Sequence, residues 1–179
     1  LGNPNLKKVG TEIQFTKDQI QEYLKCKEDP VYFAMTYIKI ISLDEGIVPF
    51  KMWDFQQELI ESFHENRFNI AKLPRQTGKS TTCVSYLLHY ILFNDNVNVG
   101  ILANKLSTAR DLLGRLQLAY EQLPMWLQQG IVVYNKGSME LENGSKILAA
   151  STSASAVRGM SFNIIFLDEF AFIPNHIAE

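Results

Sequence analysis

The segment PRQTGKS at positions 74–80 constrains the fold of this chain more than any other feature. It follows the apolar run 68–73 and precedes an apolar stretch with the character of a helix. A strand, a loop and a helix in this order form the setting of a phosphate-binding loop. Gly78 lets the backbone turn so that successive N–H groups converge, and the positive end of the helix adds to the attraction for an anion.

The loop departs from the usual pattern G-x-x-x-x-G-K-[ST], because Leu73 stands where the first glycine belongs. Lys79 is placed to reach the β- and γ-phosphates of a nucleotide, and the Ser80 hydroxyl to bind Mg²⁺. A Gly-Lys-Ser triplet also arises by chance, so the loop alone leaves nucleotide binding open. The predicted nucleotide-binding residues of the loop are Pro74, Arg75, Gln76, Thr77, Gly78, Lys79, Ser80 and Thr81.

A second motif, the run NIIFLDE at 163–169, is apolar and ends in two carboxylates. Such a run is typical of a buried parallel strand, and ligands of parallel sheets bind beyond the carboxyl ends of the strands. We predict that Asp168 holds Mg²⁺ through water and that Glu169 polarises the attacking water. The alternative is a solvated turn after a core strand. Together the two motifs predict ATP and Mg²⁺ as ligands.

The composition fits one globular domain, with 179 residues of which 46% are hydrophobic and 20% charged. A formal net charge of −2 provides no global basic field. It leaves DNA open as a partner, because a ring of subunits can hold DNA through a few local cations. No apolar run approaches about eighteen residues, so no membrane span is predicted. Cys26 and Cys83 lie far apart, which fits a reducing compartment without a disulfide framework or zinc site.

The rest of the pattern predicts helices and strands in alternation. Thr16 and Gln19 form the signature of a capping box, Asp29-Pro30 that of a helix start, and Asp54 is predicted to cap a third helix. The helix that begins at Asp29-Pro30 is predicted to have a buried face of apolar residues that extends to Ile41. Strands are predicted at 68–73 and 98–103, with helices at 79–93 and 107–123. This alternation predicts a parallel sheet with right-handed crossovers.

Three short strands are then predicted, at 131–134, 138–142 and 145–150. Asn143-Gly144 between the last two is a strong hairpin signal. We therefore expect an antiparallel insertion before the acidic strand.

As a set, these motifs resemble the large terminase subunits of tailed bacteriophages, the ATPases that pump double-stranded DNA into procapsids. The resemblance covers about residues 30–179. The segments that carry it are 75–80, Val99–Ala103, Gly130–Val132, Asn135–Ser138, Leu141–Ser145, Ala156–Gly159, Ile165–Glu169 and Phe172–Pro174.

The resemblance implies an α/β P-loop NTPase of the additional-strand, RecA-like class, with a mainly parallel central sheet flanked by helices and a β-hairpin insertion before the acidic strand. It implies a helical lead-in at 1–66 that packs on an ATPase core at 67–179. In this class a further strand inserts between the acidic strand and the phosphate-loop strand. Only ten residues follow Glu169, so we expect a core truncated after the acidic strand, no nuclease domain and weak hydrolysis even where ATP binds.

The resemblance also implies roles for single residues. Gln56 would read adenine, since an amide both donates to and accepts from the adenine edge. Gln57 competes for this role, and a helix-capping role for Gln56 stays open. Arg75, in the loop, and Arg158, reaching a neighbouring subunit, are the candidates for the arginine that stabilises the γ-phosphate charge. Each is open to a structural ion pair instead. The predicted catalytic residues are Glu169, Arg75 and Arg158, and the predicted metal ligands are Ser80 and Asp168.

The implied function is hydrolysis of Mg-ATP that drives double-stranded DNA into a procapsid. The implied partners are the portal protein, the small terminase subunit and further copies of the chain in a ring, in the host cytoplasm and transiently on the procapsid, with no membrane. One alternative is a helicase-type nucleic-acid-dependent ATPase, since 168–171 also resembles a helicase acidic box, although 73–76 argues against it. The other is a truncated nucleotide-binding assembly module without turnover.

Overall fold

A computed structural model of the chain describes residues 3–42, 44, 46–152 and 159–169. The helices in this part of the chain are α1 Lys17–Glu28, α2 Pro30–Tyr37, α3 Asp54–Glu65, α4 Lys79–Phe93 and α5 Leu106–Glu121. The strands are β1 Lys39–Ser42, β2 Gly46–Pro49, β3 Asn98–Ala103, β4 Ile131–Tyr134, β5 Ser138–Leu141, β6 Lys146–Ser151 and β7 Ile164–Asp168.

The main sheet has the strand order β4-β5-β6-β3-β7. Strands β6, β3 and β7 are parallel, and Ala103 at the end of β3 is paired with both Ser151 and Asp168. The carboxyl ends of the three parallel strands therefore meet at one edge of the sheet. In open α/β sheets this is the edge at which ligands bind.

The predicted hairpin before the acidic strand is confirmed, with its turn at Asn143-Gly144 and Gly144 at a φ of 79°. Strand β6 pairs antiparallel with β5 on one side and parallel with β3 on the other. The hairpin is thus an antiparallel extension of the central sheet and shares its backbone ladder.

Helices α4 and α5 pack against each other, and α5 also packs on β3 and β6. Eleven of the fifteen residues of α4 are buried, so this helix lies in the centre of the core. The N-terminal helices share that core: the ring of Phe33 on α2 lies 5.6 Å from that of Phe93 on α4, and Ile60 on α3 is fully buried in the same cluster. No helix within the described ranges is long and apolar enough to cross a bilayer.

The starts of α1 and α2, which have local sequence signals, lie where they are predicted. At α1, the Thr16 hydroxyl accepts from the Gln19 amide at 3.2 Å and the Gln19 side chain accepts from the Thr16 amide at 3.0 Å, which confirms the capping box. Asp29 caps α2 by accepting from the Tyr32 amide at 2.8 Å. These caps need only residues three positions apart, so sequence is sufficient to find them.

The predicted strand at 68–73 is wrong. These residues have no regular secondary structure, and Phe68 and Ile70 are 83% and 99% exposed. A strand exists only in a ladder, and among the described residues none pairs with this segment.

Two further corrections concern the region before the loop. The second helix ends at Tyr37 and does not extend to Ile41 as predicted. The residues after it form the hairpin β1–β2, which is favoured by β-branched residues and by Gly46 at a φ of 73°. The N-cap of α3 is Trp53 and not Asp54, because the Gln56 side chain binds the Trp53 amide.

Candidate functional site

The loop before α4 has the geometry of an anion-binding turn. Gly78, the N-cap residue of α4, is left-handed with a φ of 71°, and Gln76 is also left-handed with a φ of 62°. Because the N-cap residue is a glycine, it has no side chain that could cap the N-terminus of α4. The N–H groups of its first turn therefore lack helical partners and are available to a ligand, and the helix dipole adds positive charge there.

The side chain of Gln56, which is only 3% exposed, forms hydrogen bonds that fix the loop. Its Oε1 accepts from the Trp53 amide at 3.0 Å and its Nε2 donates to the Thr77 carbonyl at 3.0 Å. A Cβ atom on Gly78 would lie 2.5 Å from this Nε2. Gln56 therefore joins α3 to the loop and makes glycine necessary at position 78. Of the two candidate glutamines it is the one that faces the loop, while Gln57 is half-buried.

The acidic pair lies at the carboxyl edge of the sheet. Asp168 is the last residue of β7, and Glu169 is exposed and left-handed with a φ of 52°. A non-glycine residue in this region stores strain, typically about 1–3 kcal/mol, and such residues cluster at active sites. The strained backbone turns the chain directly after the strand, where the attacking water is expected.

Electrostatic coupling links the loop to the acidic strand. Burial raises the pKa of Asp168, and the neighbouring Glu169 raises it further. The Lys79 ammonium opposes this rise and lowers the same pKa, as does Arg115 to a smaller extent. Lys79 and Asp168, from two separate motifs, thus lie close enough in the structure for the charge of one to influence the other. Arg115 lies within α5 outside any motif, so sequence reasoning did not find it.

Cys83 lies one helical turn after Lys79 and is buried. Burial raises the pKa of its thiol to about 12, and the charge of Asp168 contributes to the rise. The thiol is therefore protonated at neutral pH and acts as a packing group beside the site.

The donor set fits Mg²⁺ bound together with a nucleotide. Within the described ranges no group of three or more His, Cys, Asp or Glu side chains could hold a metal ion. Mg²⁺ is usually bound by one or two protein oxygens, with waters and phosphates completing the octahedron. Ser80, half-buried on the first turn of α4, and Asp168 supply such oxygens.

Some of the remaining predicted site residues lie in the described part of the chain and others lie outside it. Thr77 and Thr81 are half-buried beside Gly78, and the Thr77 hydroxyl donates to the Pro74 carbonyl at 3.0 Å. Arg75 is exposed and, among the described residues, has no hydrogen-bond or ion-pair partner. Arg158 and the segment 170–174 lie outside the described residues.

The parallel strands, the loop before α4 and the carboxylates after β7 define an α/β P-loop NTPase of the RecA-like class. The profile of the family described as "Terminase large subunit, T4likevirus-type, N-terminal" matches residues 70–179. The chain belongs to this family of large terminase subunits, which confirms the resemblance drawn from its motifs.

Two relatives illustrate the similarity. The chain is 22% identical over 131 residues, 69% of its length and 18% of the relative's, to "Tripartite terminase subunit 3" of Equine herpesvirus 2 (strain 86/87). It is also similar to the crystal structure of the HK97 bacteriophage large terminase, with a TM-score of 0.68 at 17% identity. That likeness covers 85% of this chain and 33% of the phage chain, and it supports the fold. The chain thus spans 33% of the length of the phage chain and 18% of the length of the herpesvirus relative.

Proposed function

We propose that this chain is the ATPase motor domain of a viral large terminase, which hydrolyses Mg-ATP to translocate double-stranded DNA into a procapsid. The observation that carries the proposal is the geometry of the loop before α4, where the left-handed Gly78 precedes Lys79 at the start of the helix. Asp168, the last residue of β7, lies near enough for the Lys79 charge to lower its pKa. A cation that contacts phosphate and a carboxylate that holds Mg²⁺ must face each other across a bound nucleotide.

The loop and the first turn of α4 would bind the phosphates. The free N–H groups of this turn supply the donors, and Lys79 neutralises the negative charge. Gln56 keeps the loop in place and, because an amide has two hydrogens and two lone pairs, retains one of each for the adenine edge. Reading of adenine by Gln56, and not by Gln57, therefore remains compatible with its contacts to Trp53 and Thr77.

Ser80 and Asp168 would hold Mg²⁺, Asp168 through water. When bound, Mg²⁺ would neutralise negative charge that develops during phosphoryl transfer. Glu169 accepts a hydrogen bond from the attacking water and orients it toward the γ-phosphate. Arg75 in its own subunit, or Arg158 in a neighbouring one, stabilises the transition-state charge, an effect of about 10³–10⁵-fold in related enzymes.

The proposal extends to the partners of the working motor. These are double-stranded DNA, the portal protein, a small terminase subunit and further copies of the chain in a ring on the procapsid, within the host cytoplasm. The herpesvirus relative is described as a subunit of a tripartite terminase, which supports a multi-subunit assembly. We also propose that residues 1–66 form the helical lead-in to an ATPase core at 67–179, although α1–α3 bury their apolar side chains in the same core as α4.

One observation favours a second candidate, a nucleotide-binding module without turnover. Residues 68–73, directly before the loop, form no ladder with β7. Within the described residues the backbone of the loop is therefore not fixed by a ladder to the strand that carries Asp168, an arrangement that would allow nucleotide binding with little or no hydrolysis.

The roles of Lys79 and Glu169 are tested by separating nucleotide binding from turnover. Lys79→Ala is expected to weaken binding of Mg-ATP by about 10–100-fold, because a charged hydrogen bond of about 1.5–3 kcal/mol is lost. Glu169→Gln is expected to bind with unchanged affinity and to lose turnover, because the amide cannot take the proton of the attacking water. Binding is measured by calorimetry and turnover by phosphate release.

Lys72→Ala is the matched control for Lys79→Ala, because Lys72 is an exposed lysine just before the loop. It should retain both activities. An equal loss of binding in Lys79→Ala and Glu169→Gln would refute the assignment of Glu169 as the residue that activates water.

A further inference from the structure

The C-terminal end of α4 is capped by side chains from a distant turn. A helix leaves its last four carbonyl groups without helical partners. The last residue of α4 is Phe93, and its C-cap residue is Asn94, which has an extended conformation and is not a glycine. Instead, Asn143 Nδ2 donates to the carbonyls of Ile91 at 2.9 Å and Asn94 at 3.1 Å. Ser145 Oγ donates to the same Asn94 carbonyl at 2.5 Å. The turn between β5 and β6 thus binds the end of α4 through three hydrogen bonds.

This turn, residues 142–145, is itself rigid. Asn143 Oδ1 accepts from the Ser145 amide at 3.1 Å, and the Asn143 carbonyl accepts from the Asn96 amide at 3.0 Å. Ser145 is completely buried and also accepts from the Val97 amide at 3.3 Å. Gly144 packs so closely on Asn96 that a Cβ atom would collide with its side chain. A turn held in this way transmits displacement and does not absorb it.

The turn connects the two halves of the candidate site, the N-terminus of α4 and the carboxyl end of β7. In one direction it binds α4, whose other end carries Gly78 and Lys79. In the other direction it continues into β6, which pairs with β3, which pairs with β7 and so reaches Asp168. The turn is therefore one of the connections through which the position of Lys79 relative to Asp168 is set, beside the packing of α4 on α3 and α5.

The hydrogen bonds from the turn constrain the axial position of α4 in addition to its apolar packing. The close packing of α4 in the core resists its displacement, and the hydrogen bonds add a constraint on both distance and angle at the end of the helix. α4 has 15 residues and spans about 22 Å at 1.5 Å per residue. Because a helix is stiff along its axis, a shift at Asn94 arrives at Lys79 with little loss.

We propose that the 142–145 turn is a positioning element of the nucleotide site, in which Asn143 and Ser145 fix the axial position of α4 and so align Lys79 and Ser80 with Asp168. This inference rests on the proposed function for its kinetic consequence, but its structural consequence is independent of nucleotide. Removal of the Asn143 side chain should displace the N-terminus of α4 although the two are about 20 Å apart.

The test compares Asn143→Ala with Asn135→Ala in the full chain. Asn135 is an asparagine of the neighbouring β4–β5 turn whose Oδ1 accepts from the amides of Gly137 at 2.8 Å and Ser138 at 2.9 Å. It binds no carbonyl of α4 among its hydrogen bonds in the described structure. Both changes remove a turn asparagine, and only the first acts on α4.

Two readouts are made on each variant. By NMR, Asn143→Ala should shift the amide resonances of Gly78 and Lys79, and Asn135→Ala should leave them in place. In turnover, Asn143→Ala should lower kcat about tenfold, since misplacement of catalytic groups by about 1 Å is costly. It should keep the KM for ATP within about twofold, because the loop amides and Lys79 move together as one unit.

Unchanged Gly78 and Lys79 resonances in Asn143→Ala, or a kcat equal to that of Asn135→Ala, would overturn the inference. If Asn143→Ala does not fold, Asn143→Asp replaces it, since this isosteric change keeps the acceptor for the Ser145 amide and removes the donor to Ile91 and Asn94. The same resonance shifts are then expected. Absence of turnover in the unmodified chain would refute the proposed function, while the amide resonances would still decide the role of the turn.

Discussion

Replacement of Gly78 by alanine is expected to lower the free energy of unfolding by about 3 kcal/mol, through two separable effects. The first is backbone strain, because Gly78 has a φ of 71° and a left-handed residue with a Cβ atom costs about 1–2 kcal/mol. The second is steric, because the new Cβ would lie 2.5 Å from Gln56 Nε2. Gln56 must then give up its bond to the Thr77 carbonyl, and an unsatisfied buried donor costs about 1–3 kcal/mol.

Gly46→Ala separates these effects. Gly46 has a φ of 73°, and the position of a Cβ on it has no atom of the other described residues within 4 Å, so alanine there meets the strain without the collision. Its expected cost is about 1–2 kcal/mol. A second comparison uses Gln56→Ala as background, in which Gly78→Ala should again cost only the strain. The difference between the two backgrounds is the coupling energy, expected at about 1–3 kcal/mol.

Urea unfolding followed by circular dichroism measures all four variants, and an unchanged m-value shows that the same surface unfolds in each. Since small domains are stable by about 5–15 kcal/mol, Gly78→Ala should remain folded. Equal losses in Gly78→Ala and Gly46→Ala, or no coupling between positions 56 and 78, would refute the contact of Gln56 with the loop.

Three further outcomes are expected. Thr16→Ala should cost about 1 kcal/mol in urea unfolding, because it removes one half of the capping box of α1, and a loss below about 0.3 kcal/mol would count against that cap. His89 is buried, and burial lowers its pKa from 6.5 to about 4; the unfolded chain therefore takes up the proton first as pH falls, and about 2 kcal/mol of stability should be lost between about pH 7 and pH 5. His89→Gln should flatten that slope, and a slope unchanged by it would contradict the buried neutral imidazole. Burial raises the thiol pKa of both Cys26 and Cys83 to about 12, so a thiol-reactive disulfide should modify them only after unfolding, and rapid reaction of the folded protein would disprove their burial.

The parts of the fold that sequence predicted are those with local signals. The loop with Gly78, the capping box at Thr16 and the hairpin turn at Asn143-Gly144 each need only residues a few positions apart. The strand β3 is buried on both faces and shows as a continuous apolar run.

The failures concern contacts that sequence does not encode locally. The run 68–73 has the composition of a strand, but a strand depends on a partner, and none among the described residues provides one. The N-cap of α3 was predicted wrongly for a different reason: the bond from the Trp53 amide to Gln56 is local, but tryptophan is not among the residues preferred at N-caps and so gives no signal. The capping of α4 by Asn143 and the influence of Arg115 on Asp168 join distant parts of the chain. Only the tertiary structure reveals them.

The rate of Mg²⁺-dependent ATP hydrolysis decides whether this chain is a motor ATPase. It should be measured on the unmodified chain and on Glu169→Gln, with binding of ATP followed in parallel. We expect Mg²⁺-dependent turnover in the unmodified chain, none once Glu169 is replaced, and equal binding of ATP by both. Bound ATP without hydrolysis by the unmodified chain, or hydrolysis that survives Glu169→Gln, would show that these residues do not form the proposed catalytic site.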